Sequence, residues 1–443
     1  MSSAARPAHP SPPHPASPEA RRWPALLSAL SARGYRRYLF SLLIGSMGFW
    51  IARIAQDWLV LELTGSPSAV GLTVALQFAP VLIFGLTGGV LADRFPAGAL
   101  VALSQAGVAM IALTLGLLTL TGTVQAWHVY AGALTFGFLA VIEQPARMRV
   151  IAETAGQPRI RNALSLNSTG FQSAALVGPL LAGLIIATLG TGWCFMINFA
   201  TAGIAAYTLT RLGSNSESRR SAPGQSPLRQ LREGLSIVRG TSEIAWAIAL
   251  AAVLAIFGLG MPALLSAMAR NDFGTGVAGY GMLSAALALG SVGGALLSAR
   301  GTKALRLRHL AALLCALGLL LALAASISHQ LIFMGVLSLA GVVTLTLLVQ
   351  APVLIQLSCP LTVRGRVMSC YQLAVIGGQA IGNLLVGRLV ESIGARPALL
   401  ICAAAIVLLS IGIGVAMGRQ SRLRLAVGRP TFWPRVRIVP SAR

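Results

Sequence analysis

The sequence predicts an all-α membrane protein of twelve transmembrane helices, arranged as two similar six-helix bundles. Three observations carry that expectation. The 443 residues are 56% hydrophobic and 10% charged, with a mean hydropathy of +0.77, too little polar surface to clothe a soluble globule. Apolar runs of roughly 20 residues, the length that crosses hydrocarbon, recur twelve times between charged clusters. They lie near residues 37–62, 69–92, 99–121, 128–150, 163–189, 192–211, 244–268, 278–299, 308–327, 330–351, 366–390 and 396–418. Finally, landmarks repeat at an offset of about two hundred residues. GGVLADR at 88–94 is echoed by GGALLSAR at 293–300, Gln144-Pro145 by Gln350-Ala351-Pro352, and LLAGLIIATLG at 180–190 by LLVGRLVESIG at 384–394. Duplicated membrane halves are expected to face each other across one site.

The net charge of +23 would suggest nucleic acid on a soluble chain, but its placement excludes that partner. Lys and Arg gather at both termini and in alternate loops: Arg94, then Arg147, Arg149, Arg159 and Arg161, then 211–239, then 300–308, then Arg364 and Arg366. Arg270 and Arg396 are the main exceptions. By the positive-inside rule both termini and these loops are expected in the cytoplasm, as an even number of spans requires. The partners expected are the lipid bilayer and a small-molecule substrate. Cys194, Cys315, Cys359, Cys370 and Cys402 are odd in number and dispersed, without disulfide or metal spacing, and read as small packing residues.

Taken in order, residues 1–34 are expected to be a disordered tail, rich in Pro, Ser and Ala, with a short surface helix. His9 and His14 belong to it as solvated linker. Residues 35–212 form the first bundle and 213–242 a cytoplasmic linker. In that linker Leu228, Leu231, Leu235 and Val238 recur at helical spacing, as in a helix lying on the inner membrane surface. Residues 243–418 form the second bundle, and 419–443 a basic tail. No secretory signal is expected, because the first apolar run is too long and lacks a cleavage site.

Polar groups inside the spans carry the functional reading, since a charge in hydrocarbon costs a few kcal/mol unless paired or hydrated. The first span holds Arg53, Gln56 and Asp57; the pair at i,i+4 shares one face, in the less favourable order. It reads either as self-neutralising or as the lining of a polar path that binds substrate or a proton. The fourth span ends in Glu143, Gln144, Pro145, Ala146, Arg147, a second i,i+4 pair in the favourable order. That pair is weighted toward a latch, and Pro145 is expected to loosen the last turn. In the fifth span Gln172 is followed by Gly178, Pro179 and Gly183, which predicts a bend or a tight crossing. The second half has no acidic residue clearly inside a span: Asp272 falls in a loop and Glu391 near an outer end, while Gln350, Gln372, Gln379 and Asn383 supply its polarity.

These residues resemble the major facilitator superfamily, specifically the bacterial exporter branch that includes enterobactin-type siderophore exporters and macrolide-efflux-like proteins. The resemblance runs from Tyr35 to about Gly418. It rests on RIAQDWLVLELTG at 53–65, GVLADR at 89–94, QPAR at 144–147 and PLTVRGRVMS at 360–369. It implies two six-helix bundles, a central cavity opening alternately to each face of the bacterial cytoplasmic membrane, and export by exchange with protons. It also implies a cytoplasmic gate in which Gly89, Asp93 and Arg94 meet the start of the eleventh span at Arg364 and Arg366, with Arg147 nearby. Gly178, Pro179 and Gly183 stand where the family's antiporters carry a helix-five signature, and the family's habit is monomeric. The chain departs from the pattern after Arg94, where FPAGA replaces the usual basic run, and at Ala182, which replaces a glycine.

A membrane enzyme would need a cluster of carboxylates, histidines or a nucleophile with its base; His128, His309 and His329 are scattered over separate loops. An ATP-driven pump would need a phosphate-binding loop, and GxxxxGK[ST] does not occur. No cofactor or metal is implied. The expectation is therefore a secondary exporter with Arg53, Gln56, Asp57, Glu143, Gln172, Gln372 and Gln379 along the substrate or proton path. An importer, or a sensor built on a transporter fold, is the alternative.

Overall fold

The computed structural model describes residues 25–211, 227–300, 305–360, 363–420, 423–427 and 436–440. Hydrocarbon offers no partners to backbone N–H and C=O groups, so each apolar run satisfies them internally as helix. The first half contains α1 (Arg33–Thr64), α2 (Pro67–Arg94), α3 (Ala97–Leu120), α4 (Ala126–Ala155), α5 (Ile160–Leu189) and α6 (Thr191–Thr210). After the linker helix α7 (Pro227–Gly240), the seventh span, Ser242–Asp272, is built from α8 (Ser242–Val253) and α9 (Met261–Ala267). Two wide π-turns, Leu254–Gly258 and Met268–Asp272, follow α8 and α9 respectively. Then come α10 (Gly276–Arg300), α11 (Leu307–Ala325), α12 (Gln330–Leu357), α13 (Arg364–Ile393) and α14 (Ala395–Gln420). Among the described residues, twelve helices are long and apolar enough to span a bilayer.

The hairpin between α1 and α2 shows how tightly the spans are joined. Gly65 adopts φ 66° and its N–H caps Leu61 O, a left-handed cap that glycine takes without a Cβ penalty. Ser66 then caps α2 at Ala69 N, with Pro67 in the first turn, where a missing N–H costs nothing.

The duplication appears in the pairings. α2 packs on α4 as α10 packs on α12, and α3 on α6 as α11 on α14. Between the halves, α5 crosses onto α10 as α13 crosses onto α2. These seams lie at the end away from the chain termini. A Cβ on Gly71 would stand 2.2 Å from Asn383 O, one on Gly281 2.5 Å from Pro179 O, and one on Gly183 3.2 Å from the Ala278 Cα. Small residues thus let the backbones of opposing halves touch. Arg270 donates to Leu61 O at 3.0 Å across the same end.

Several expectations need correction. Pro145 does not lie in the last turn of the fourth span. α4 continues through it to Ala155, because a proline deletes one helix bond and the following turns, held in part by Arg149 to Glu153 at 3.6 Å, carry on. Asp272 is not in a loop but closes the second π-turn and pairs with Arg396 at 2.9 Å. The helix at 227–240 forms as expected, yet it is docked on protein rather than simply laid on the membrane. Val238 is buried, Leu231 and Ile237 pack against the core, and a Cβ on Gly234 would meet Arg366 O at 2.6 Å. In the basic tail, Leu423–Val427 pairs antiparallel with Val436–Pro440. The tail at 1–24 and the linker stretch 212–226 lie outside the described residues.

Candidate functional site

Between the halves lies a cavity of about 730 Å³. α1, α2, α3, α4 and α5 supply one wall, and the seventh span, α10, α12 and α13 the other. Of the expected path residues, Arg53, Asp57, Glu143, Gln172 and Gln379 line it. Two do not. Gln56 turns instead toward a second chamber of about 40 Å³ inside the first half, shared with Arg53, Gln77 and Asn198. Gln372 is exposed, two turns before Gln379 on the same face of α13.

Asp57 is the most enclosed carboxylate of the cavity wall, with 1% of its surface exposed. Its Oδ2 lies 3.6 Å from Arg53 Nε and accepts a hydrogen bond from Tyr280 Oη at 2.9 Å; its Oδ1 has no partner. Arg53 Nη1 donates to Gln77 Oε1, and Gln77 Nε2 donates to Gln56 Oε1 at 3.1 Å. Arg53 thus stands between a carboxylate in the main cavity and an amide chain in the small chamber, whose Asn198 Oδ1 is also unpartnered. Tyr280 belongs to α10, so its phenol ties the second half to the first. Its ring stacks on Trp58 at 6.4 Å and 24°, which fixes the direction of the hydroxyl. A buried ion pair is sound only when further hydrogen bonds complete it, and here one of those bonds comes from the opposite bundle.

The second pair sits nearer the terminal end. Arg147 Nη2 bonds Glu143 Oε1, and the same oxygen accepts from Gln105 Nε2 at 2.8 Å. These partners lie on α4 and α3, so this pair stays within the first half. Close by, Tyr38 Oη donates to Asn167 Oδ1 at 2.9 Å.

The gate residues lie at the ends of α2 and α13 and within α4. Arg366 is paired with Glu233 of α7 at 2.8 Å, and Arg94 is exposed at the end of α2. Arg364 is half-buried, and its Nε has no partner among the described residues. The surroundings of Gly89 and Asp93 lie outside the described residues. The helix-five residues resolve into a tight crossing. Gly178 admits Trp50 of α1, where a Cβ would come within 2.5 Å of the Trp50 Cβ, while Pro179 and Gly183 face α10.

Sequence reasoning missed Gln77, Gln105 and Tyr280. Gln77 carried a signal, a lone amide within an apolar run of the second span. Tyr280 carried none, because its partner is 223 positions away and only the packing of α10 on the first half joins them.

Two pseudo-symmetric six-helix bundles around one cavity with buried ion pairs define a membrane transporter of the major facilitator superfamily. Residues 25–426 match the model of the transmembrane secretion effector family, and the chain belongs to that family. Curated relatives include the enterobactin exporter EntS of Escherichia coli O1:K1 / APEC and that of Shigella boydii serotype 18 (strain CDC 3083-94 / BS512). Each is 26% identical over 372 residues, spanning 83% of this chain and 88% of the relative. Among solved structures, a bacterial homologue of the human lysosomal transporter Spinster, inward-facing and occupied, superposes with a TM-score of 0.68 at 15% identity, covering 87% of this chain and 97% of the other. The nucleoside transporter NupG gives 0.68 at 13% identity, covering 87% and 99%. These likenesses at low identity show the fold.

Proposed function

We propose that this protein exports a small amphipathic molecule, a siderophore, drug-like compound or other secondary metabolite, across the bacterial cytoplasmic membrane by alternating access, driven by inward proton movement. The observation that carries this reading is the Asp57 cluster: a buried carboxylate on the cavity wall, neutralised by Arg53 from its own half and bonded by Tyr280 from the other. The basic loops support a cytoplasmic terminal end by the positive-inside rule, which makes the seam periplasmic and turns the cavity inward. The relatives' description as enterobactin exporters supports the direction.

In this cycle substrate enters from the cytoplasm and the bundles rock until the periplasmic seam parts, which breaks the Tyr280 to Asp57 bond. Asp57 then takes a proton from the periplasm as substrate leaves. Closing the seam brings Tyr280 Oη back onto the carboxyl oxygen. An ionised carboxylate accepts that bond more strongly than a neutral acid does, so Tyr280 and Arg53 take over the carboxylate as its proton leaves for the inward-facing cavity. Each inward charge contributes about 2.3 kcal/mol per 100 mV of membrane potential. Glu143 and Arg147 line the cytoplasmic part of the path. Asp93, Arg94, Arg364 and Arg366 serve the gate that closes this end in the opposite state, where Arg366 must leave Glu233. One chain suffices for the cycle, so the protein acts as a monomer.

The test is uptake of enterobactin, the compound named for the relatives, into inside-out vesicles with an acidic lumen. Asp57→Asn is expected to retain downhill flux and lose pH-driven accumulation; full accumulation in this variant would refute the proton role.

A further inference from the structure

The two walls of the cavity differ in chemistry. Among the described residues of the lining, the first half supplies every charged one, Arg53, Asp57, Glu143 and Arg147, and all the aromatic rings except Tyr280. The second half supplies chiefly aliphatic surface, with Leu287, Leu345 and Leu348 among it. The rings are ordered against one another. Phe49 stacks on Phe136 at 5.6 Å and 21°, and on Phe171 at 6.4 Å and 29°. Trp50 lies 5.6 Å from Phe171. Phe171 keeps 36% of its surface exposed, so this array leaves a ring uncovered at the cavity wall. If these rings only filled the core, that face would be covered.

Charge narrows the ligand further. Arg53 pairs with Asp57 and Arg147 with Glu143, so the formal charges of the described lining cancel. A guest with a fixed net charge must either break one of these pairs or sit desolvated without a counter-ion. A neutral guest does neither. Rings already held by neighbours also lose little freedom when another ring settles on them.

We infer that the cavity takes an uncharged aromatic compound with a lipophilic flank, its ring stacked on Phe171 beside Trp50 and its aliphatic part against the α10 and α12 wall. The inference rests on the reading of this cavity as the substrate site and names the class of molecule that site selects. It also gives the halves unequal tasks. The first half recognises and holds the guest, and the second half provides a smooth surface that moves past it.

The experiment measures binding of tritiated 1-naphthol and its saturated analogue decahydro-1-naphthol, which share one carbon skeleton, to the full chain in lipid nanodiscs, with empty nanodiscs subtracted. An aromatic contact in a desolvated site is expected to favour 1-naphthol by roughly tenfold. 1-Naphthalenesulfonate and 1-naphthyltrimethylammonium are each expected to bind at least about tenfold more weakly than 1-naphthol, since each brings an unpaired charge. Phe171→Leu is expected to lower 1-naphthol affinity by roughly three- to tenfold and to leave the saturated analogue within about twofold. Equal affinity for the two alcohols, or a charged analogue binding as tightly as 1-naphthol, overturns the inference. The ligand series on the unaltered chain decides the matter even if Phe171→Leu folds poorly. Failures separate cleanly: equal saturable binding that Leu345→Trp weakens by intruding on the cavity removes the aromatic preference but keeps the cavity as a binding site. Absence of saturable binding by all four compounds removes both.

Discussion

Replacing Tyr280 with Phe deletes one hydroxyl and leaves the ring stacked on Trp58. In the seam-closed state that hydroxyl donates to Asp57 Oδ2 at 2.9 Å, and with the seam open the two groups sit on separated bundles. A hydrogen bond to a charged group contributes about 1.5–3 kcal/mol. If the bond exists in one state only, its loss shifts the balance toward the periplasm-open form by roughly 10- to 150-fold. The shift is smaller if water replaces the hydroxyl when the seam is closed. Spin labels on Thr64→Cys and Ser392→Cys, exposed at the far ends of α1 and α13, report it on a cysteine-free background by double electron–electron resonance. The variant is expected to populate a longer distance that the parent lacks at neutral pH. Acidification of the parent is expected to move it the same way, since a protonated Asp57 loses Arg53 and accepts the phenol more weakly. Asp57→Asn is expected to abolish that pH response. A Tyr280→Phe distance distribution identical to the parent's would refute the claim that this bond holds the seam.

Other perturbations probe separate parts of the account. Gly281→Val places a side chain where a Cβ already stands 2.5 Å from Pro179 O; the α5 to α10 crossing is expected to part, with transport falling at least about tenfold, and full transport would show that the seam tolerates bulk. Glu143→Gln leaves Arg147 without its carboxylate, and a broken buried pair costs about 3–5 kcal/mol. Since this pair is partly exposed, a thermal midpoint lower by several degrees is expected, and an unchanged midpoint contradicts the pairing. Glu233→Gln frees one partner of Arg366 in a pair about one-third exposed. The expected effect is under about 1 kcal/mol, read as a change of no more than about fivefold in labelling of a single cysteine placed at Ser369; a larger change would mean that α7 controls the gate.

How much of this was legible in advance depended on whether a signal was local. Spans, their number and the duplication were local, written in run length and in the echoed landmarks, and the helix pairings repeat them. Arg53 and Asp57 stood out because charges inside an apolar run are rare and share a face at i,i+4. Their partners were harder to read. Gln77 stood out only as a lone amide in an apolar run, with nothing local to join it to Arg53, and Tyr280 meets Asp57 only through the seam. The extension of α4 to Ala155 was missed because Pro145 was placed in the last turn, although a long helix survives the loss of one bond. α7 showed the amphipathic spacing of a surface helix, and that spacing does not distinguish lipid from the backbone of α13 as the covering surface. Gln56 and Gln372 were grouped with the cavity by polarity alone, which does not specify the direction in which an amide points.

The central claim is that the periplasmic seam must open for a substrate to leave. A Cβ on Gly387 would lie 3.1 Å from the Ser68 Cα, so the two positions adjoin across the seam, and Ser68→Cys with Gly387→Cys on a cysteine-free background is expected to lock it by a disulfide. pH-driven uptake of enterobactin into inside-out vesicles is expected to stop on oxidation and return with dithiothreitol. Undiminished uptake by the fully cross-linked protein would contradict alternating access through this seam.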